Sequence, residues 1–313
     1  MGQMSTLVFA PGFFHSGAVG VAVAVGGAVA VVSACVGVFT VIRGQSFAGH
    51  ALSDVATTGG SGAFVLGVSP LTGYVVLGLA AAAAMDLVGI QRARGRDVAT
   101  GIVLGAGLGL SALFLYFDTT MRATTGATMT ILFGSMFAIS SSTIPLIAVL
   151  AAVALGVTAL VYRPLMLSSL DQEIARAAGV PVRLVGVLYL LGLAIAVALS
   201  AVTIGAILST ALLVGPAATA LRISRRPATA LALASLIGVG SVWLGIVLAY
   251  DSFYWPPRGH GWPVSFFVVT LVFVFYLFTE ARVLHRLARS RAALARLAAR
   301  FAVHRQARIQ AGG

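Results

Sequence analysis

Apolar runs of about 20 residues recur along this chain, the length that a hydrocarbon core of about 30 Å demands of a helix. Weakly alternating segments of about ten residues would have marked a membrane barrel instead. The runs cover about Gly17 to Ile42, Pro70 to Ile90, Val98 to Phe117, Thr143 to Val161, Leu184 to Val202, Thr203 to Leu221, Pro227 to Ala249 and Pro263 to Phe278. Only a tight turn separates the run ending at Val202 from the next. The pattern predicts an all-α, polytopic integral membrane protein with about eight transmembrane helices. Asp118 to Ser142 is too polar and broken for an ordinary span, and within it Met129 to Ile139 is expected as a short half-helix at the outer interface.

Between the first two runs lies a segment of another kind. Ser46 to Val68 also reads as a crossing helix, yet it embeds Ser46, His50, Ser53, Asp54, Thr57, Thr58 and Ser61. A carboxylate at the centre of a spanning helix is disfavoured by roughly 2.5 to 3.5 kcal/mol, so it faces protein or a polar pathway rather than lipid. His50 and Asp54 are four residues apart, which places them one turn apart on one helical face. Imidazole and carboxylate together can hold a divalent cation. Gly59, Gly60 and Gly62 are expected to weaken the far half of this helix, a local break of the kind tolerated only beside protein or water; the plainer reading is close helix packing. Gly101, Gly105 and Gly109 likewise read as a close-packing face on the helix that carries them.

Composition and charge orient this array. Of the 313 residues, 59% are hydrophobic and 9% charged, and the mean hydropathy is +1.04, whereas about a quarter of the residues of a soluble domain are charged. Arg43, the cluster Arg92, Arg94 and Arg96, and the cluster Arg222, Arg225 and Arg226 mark cytoplasmic loops by the positive-inside rule, which puts the N-terminus outside. Asp86 is expected to pair with the cluster beside it. Residues 1–16 form an outer N-terminal segment without lysine or arginine, so the basic region of a secretory leader is missing and the first helix is expected to be retained. Residues 17–281 form the membrane domain, and 282–313 a basic cytoplasmic tail. In that tail Leu284, Leu287, Leu294, Leu297 and Phe301 fall at helical spacing among arginines, a pattern suited to anionic lipid surfaces and not to nucleic acid at a membrane face. All 20 basic residues are arginine. No Walker A loop can exist without its lysine, so the chain has no nucleotide site of that kind and is not expected to be an enzyme. Cys35, the single cysteine, reads as a small buried hydrophobe.

The hydropathy breaks sharply from Tyr162 to Arg183. Its core, Asp171 to Gly179, has acids at the front, where the helix dipole favours them, and a glycine at the end, where a left-handed cap is common. A short cytoplasmic helix is expected there. In Glu173, Ala175 and Gly179 it resembles the E-x-A-x-x-x-G core of the coupling loop of ATP-binding-cassette importers. SLDQEIARAAGVPV, TIGAILSTALLVGPAATA and ILFGSMFAIS resemble the membrane subunit of the family that imports zinc, manganese or iron, and RGQSFAGHALSDVATTGG sits where that family has R-x-S-x-x-G-D-A-L-S-H-A. The resemblance extends from about Val21 to Phe278.

It implies a multi-pass permease of the bacterial inner membrane, with two copies forming the pathway. Separate ATPase subunits would dock on Asp171, Glu173, Ala175 and Gly179, and an extracytoplasmic metal-binding protein would deliver the ion. The divalent ion is cargo, held by His50 and Asp54, and no cofactor is permanently bound. Asp251 and His260, in or near the outer loop, are further candidate ligands, against a reading as exposed loop residues. One departure stands out: the family has aspartate and then histidine, whereas here histidine comes first. Imidazole and carboxylate suit zinc, manganese and iron(II) alike. The competing readings are a related permease for iron chelates or cobalamin, a proton-coupled secondary transporter using His50 and Asp54 as a relay, and a membrane scaffold.

Overall fold

The computed structural model describes residues 13–88, 96–121, 125–255, 259 and 261–282. Arg92, Arg94, Arg122, Arg258, His260 and the amphipathic tail lie outside the described residues. The chain folds into the helices α1 (Gly17–Ile42), α2 (Ser46–Leu66), α3 (Pro70–Val88), α4 (Arg96–Met121), α5 (Thr125–Phe133), α6 (Ile144–Leu160), α7 (Tyr162–Leu170), α8 (Gln172–Ala177), α9 (Val182–Ile204), α10 (Ala206–Ile223) and α11 (Pro227–Ser252). The last among the described residues is α12 (Val264–Arg282). Among the described residues eight helices are long and apolar enough to cross a membrane, and the expected all-α polytopic fold is found. α2 is a further helix of 21 residues, about 31 Å long, whose polar centre excludes it from a hydropathy count.

Burial sorts these helices into centre and rim. The apolar window of α9 is 78% buried and that of α1 61%, against 17% for α4 and α6. α9 and α1 are therefore the posts of the bundle, and α4 and α6 stand at its rim. The ends of the helices define two faces. Val41, Ile42, Ala220 and Leu221 share a hydrophobic cluster, and Arg222 pairs with Glu280 of α12 at 2.6 Å, so α1, α10 and α12 end on one face. Phe13 meets Tyr250 edge-on at 5.3 Å, so the start of α1 and the end of α11 share the other. The first face carries Arg43, Arg222 and Arg183, which is the asymmetry of a cytoplasmic side.

Several local expectations are revised. α2 is not broken: it runs continuously from Ser46 to Leu66 and ends at Gly67, φ 74°. Its glycines serve packing instead. A Cβ at Gly59 would collide with the Gly73 carbonyl of α3, and one at Gly60 would lie 2.5 Å from the Tyr74 ring. Gly101, Gly105 and Gly109 are the converse case, because a Cβ there would meet nothing within 4 Å. It is Gly107 that packs, against Val55 of α2. Asp86 pairs with Arg183 at the start of α9, at 3.7 Å, because the end of α3 packs beside that helix; the pairing expected with Arg92 and Arg94 falls outside the described residues. The predicted half-helix at Met129 to Ile139 starts and stops earlier, as α5, followed by a 3-10 turn at Met136–Ala138. Met136 is 3% exposed, and its sulfur would lie 3.3 Å from a Cβ at Gly26, so this loop reaches into the bundle.

The real break in the array is at Gly205. It is the single residue between α9 and α10, with φ 87° and ψ 158°, a conformation open essentially to glycine alone. Gly134, which ends α5, also has a positive φ of 77°. The two backbones touch: a Cβ at Gly134 would lie 2.6 Å from the Gly205 nitrogen, and a Cβ at Gly205 equally close, 2.6 Å, to the Gly134 nitrogen. Gly205→Ala is expected to destabilise the chain by about 1–3 kcal/mol from backbone strain, with the collision in addition. Thermal unfolding in detergent should show this as a lower midpoint, while Gly105→Ala, in open space, should leave the midpoint unchanged or raise it.

Candidate metal site and coupling helix

α2 is stitched in place by its own hydroxyls. Ser53 Oγ donates to the Ala206 carbonyl at 3.1 Å and lies 2.6 Å from Ser209 Oγ, which ties α2 to the start of α10 just after the Gly205 break. Thr58 Oγ1 donates to the Gly107 carbonyl of α4 at 2.8 Å. Thr57 and Ser61 turn back onto carbonyls of their own helix. In hydrocarbon an unsatisfied hydroxyl is costly. These residues therefore fix the helix around His50 and Asp54.

That pair is brought together as the four-residue spacing predicts. His50 Nε2 and Asp54 Oδ2 are 3.7 Å apart, too far for a hydrogen bond. Bond lengths of about 2.1 Å to each ligand put tetrahedral N and O ligands about 3.4 Å apart, so the gap is nearly the span of a shared ion. His50 Nδ1 lies 3.1 Å from Thr210 Oγ1 on α10. A neutral imidazole that donates Nδ1–H to Thr210 presents its Nε2 lone pair toward Asp54, the arrangement by which an outer hydrogen bond orients a metal-ligating histidine. Asp54 is 7% exposed, and its Oδ2 has no hydrogen-bond partner among the described residues. The His50 side chain is 44% exposed. A buried carboxylate oxygen beside a reachable imidazole makes a clasp that has the donor chemistry for a cation and is open at His50.

Asp251 does not join it. Among the described residues no third His, Cys, Asp or Glu completes a group of three. Asp251 is not an exposed loop residue: it lies in the last turn of α11 and is 3% exposed, away from the pair. His260 lies outside the described residues. Thr210 and Ser209 were not anticipated; their signal is a pair of adjacent hydroxyl residues in an otherwise apolar helix, next to a glycine break.

The predicted cytoplasmic helix is α8. Asp171 caps its start, with Oδ1 accepting from Glu173 N at 2.7 Å and Ile174 N at 3.0 Å. Gly179, φ 79°, closes its end: Gly179 N donates to Arg176 O at 3.0 Å and Val180 N to Ala175 O at 2.9 Å, the paired bonds of a left-handed glycine cap. Ala175 is fully buried and seats the helix on the body of the protein. Glu173, Ile174 and Arg176 project outward, with Ile174 58% exposed. An exposed apolar side chain flanked by charges at the tip of a capped helix forms a rigid, projecting knob.

A polytopic bundle with an enclosed polar helix and a capped, projecting helix on one face has the build of a membrane transport subunit. The chain belongs to the ABC 3 transport family, whose model matches residues 18–280. Over 225 residues it is 32% identical to the manganese transport system membrane protein MntC of Halalkalibacterium halodurans, covering 71% of this chain and 76% of that protein. It is 28% identical over 251 residues to the high-affinity zinc uptake system membrane protein ZnuB of Haemophilus influenzae, covering 80% of this chain and 93% of that one. In three dimensions it resembles PsaBC from Streptococcus pneumoniae in complex with Fab, with a TM-score of 0.73 and 26% identity over 86% of this chain and 92% of that chain. The protein is a multi-pass protein of the bacterial inner membrane.

Replacing the cap of the knob tests its construction. Asp171→Ala should weaken α8 by about 0.5–2 kcal/mol, read as faster amide exchange of Glu173 and Ile174 with no change in the membrane helices.

Proposed function

We propose that this chain is the permease subunit of an ATP-driven importer of divalent metal ions, with manganese, zinc and iron(II) as candidate cargo. The observation that carries the reading is the His50 and Asp54 clasp, 3.7 Å across, with a buried carboxylate oxygen that has no hydrogen-bond partner among the described residues. Two ligands per chain make a moderately weak site, which suits an ion that must leave again. The half-exposed face of His50 suits a second copy of the chain, whose own pair would share the pathway. ATPase subunits would take α8 as their docking element through Asp171, Glu173, Ala175 and Gly179. An extracytoplasmic metal-binding protein would deliver the ion at the outer face, and the arginine-rich tail would lie on anionic lipid.

The manganese and zinc systems named among the relatives support a bare ion over a bulky chelate. The exchanged order of the two ligands keeps both on one face of α2, so the same chemistry is met with the two groups reversed along the helix axis.

Uptake of radiolabelled manganese, zinc and iron into cells expressing the chain with its ATPase tests this reading. Wild type should accumulate at least one of the ions, and His50→Ala and Asp54→Ala should each abolish accumulation at unchanged membrane expression. Glu173→Ala should reduce it by weakening ATPase docking. Uptake that persists without either ligand would remove the site; uptake without the ATPase would favour a secondary transporter; accumulation of a chelate alone would favour the related chelate permeases.

A further inference from the structure

The turn between α1 and α2 holds a cationic group that lies away from the clasp. Arg43 caps the end of α1. Gly44 takes φ 62°, and Gln45 N donates back to Thr40 O at 2.9 Å, so a short, fixed turn leads into α2. From it the Arg43 guanidinium reaches three elements. Nη1 donates to Ser168 Oγ at 3.3 Å and Ser169 Oγ at 3.4 Å, both in the last turn of α7. Nε donates to Gln45 Oε1 at 3.4 Å. The guanidinium carbon sits 5.2 Å from the ring centre of Tyr189 on α9. Tyr189 is itself held, its hydroxyl donating to Thr40 Oγ1 at 2.9 Å, and Thr40, Gln45 and Tyr189 are all buried.

The positions of these partners in the chain give the cluster its meaning. Ser168 and Ser169 lie within three residues of Asp171, the cap of α8. Gln45 is the residue before α2, and His50 follows five residues later on the same unbroken helix. One side chain therefore links the root of the docking knob to the root of the clasp. Only a planar fork of donors that also stacks on an aromatic face can serve two serines, an amide and a ring together.

We propose that Arg43 is the positioning residue that couples the docking helix to the metal-binding helix, so that a displacement of α8 on its ATPase moves the start of α2 and with it His50 and Asp54. This rests on the importer reading above. It differs from a merely structural role in what it predicts: Arg43 sets how many ions move per ATP, and the ability to bind an ion or to hydrolyse ATP does not depend on it.

The test uses the chain assembled with its ATPase in proteoliposomes, with ion uptake and ATP hydrolysis measured together for wild type, Arg43→Gln, Ser168→Ala with Ser169→Ala, and all three substitutions combined. Manganese or zinc alone is also titrated onto each detergent-solubilised chain. Arg43→Gln should keep ion binding and hydrolysis within about twofold of wild type while moving about tenfold fewer ions per ATP, a loss in the range of a broken coupling between sites. The combined variant should be no worse than Arg43→Gln alone, because the substitutions remove one shared interaction. An unchanged ratio of ions to ATP, uptake and hydrolysis falling in proportion, additive losses in the combined variant, or loss of ion binding in Arg43→Gln would each overturn the proposal. If wild type transports and Arg43→Gln does so at the same ratio, the proposal alone fails; if wild type moves no ion, the importer reading fails and takes the proposal with it.

Discussion

A carboxylate cannot face hydrocarbon, and the arrangement of this protein follows from keeping Asp54 away from it. α2, the helix that carries Asp54, is enclosed by its neighbours, with residues from Ala48 to Ala63 largely buried. Enclosure demands close approach, and close approach demands small residues. Gly59 against Gly73, Gly60 against the Tyr74 ring and Gly107 against Val55 supply it. The hydroxyls of Ser53 and Thr58 then meet carbonyls of α10 and α4, so the polar helix is satisfied on every side except at the clasp.

The second constraint is the kink at Gly205. The break starts α10 afresh at Ala206, whose carbonyl accepts from Ser53 and Ser209, and it sets Thr210 against His50. Gly134 on the other side of the break lets the α5 loop press directly on the backbone there. The His50–Asp54 pair is therefore a product of two helices, one carrying both side chains and the other bonding the imidazole through Thr210.

Much of this could be read from the chain because membrane burial leaves a coarse, strong imprint. The apolar runs, the His50 and Asp54 spacing and the capped helix from Asp171 to Gly179 depend only on local sequence, and all three appear as expected. What could not be read depends on which helix stands beside which. Glycines in α2 and α4 look alike in the sequence, yet Gly59 and Gly60 pack and Gly101 and Gly105 do not, because only the former face a partner. Asp86 meets Arg183, distant in the sequence, because α3 packs beside α9. Asp251 looked like a loop residue because the end of α11 falls inside an aromatic, proline-rich stretch, whereas the helix continues to Ser252 and buries it. Thr210 was hidden because a hydroxyl in an apolar helix usually bonds its own backbone, and only its proximity to α2 gives it another role.

α8 is closed at both ends by its own residues, Asp171 at the start and Gly179 at the finish, with Ala175 seated on the body of the protein. A segment that already holds its bound shape forfeits little conformational freedom when a second protein closes around it, and that entropy is a principal charge on association. Such a contact can be both quick to form and stiff once made. Stiffness is what a lever would require: if a partner subunit docks on α8 as proposed, a floppy segment would absorb its movement as local bending, whereas a rigid one must either detach or carry the membrane helices with it.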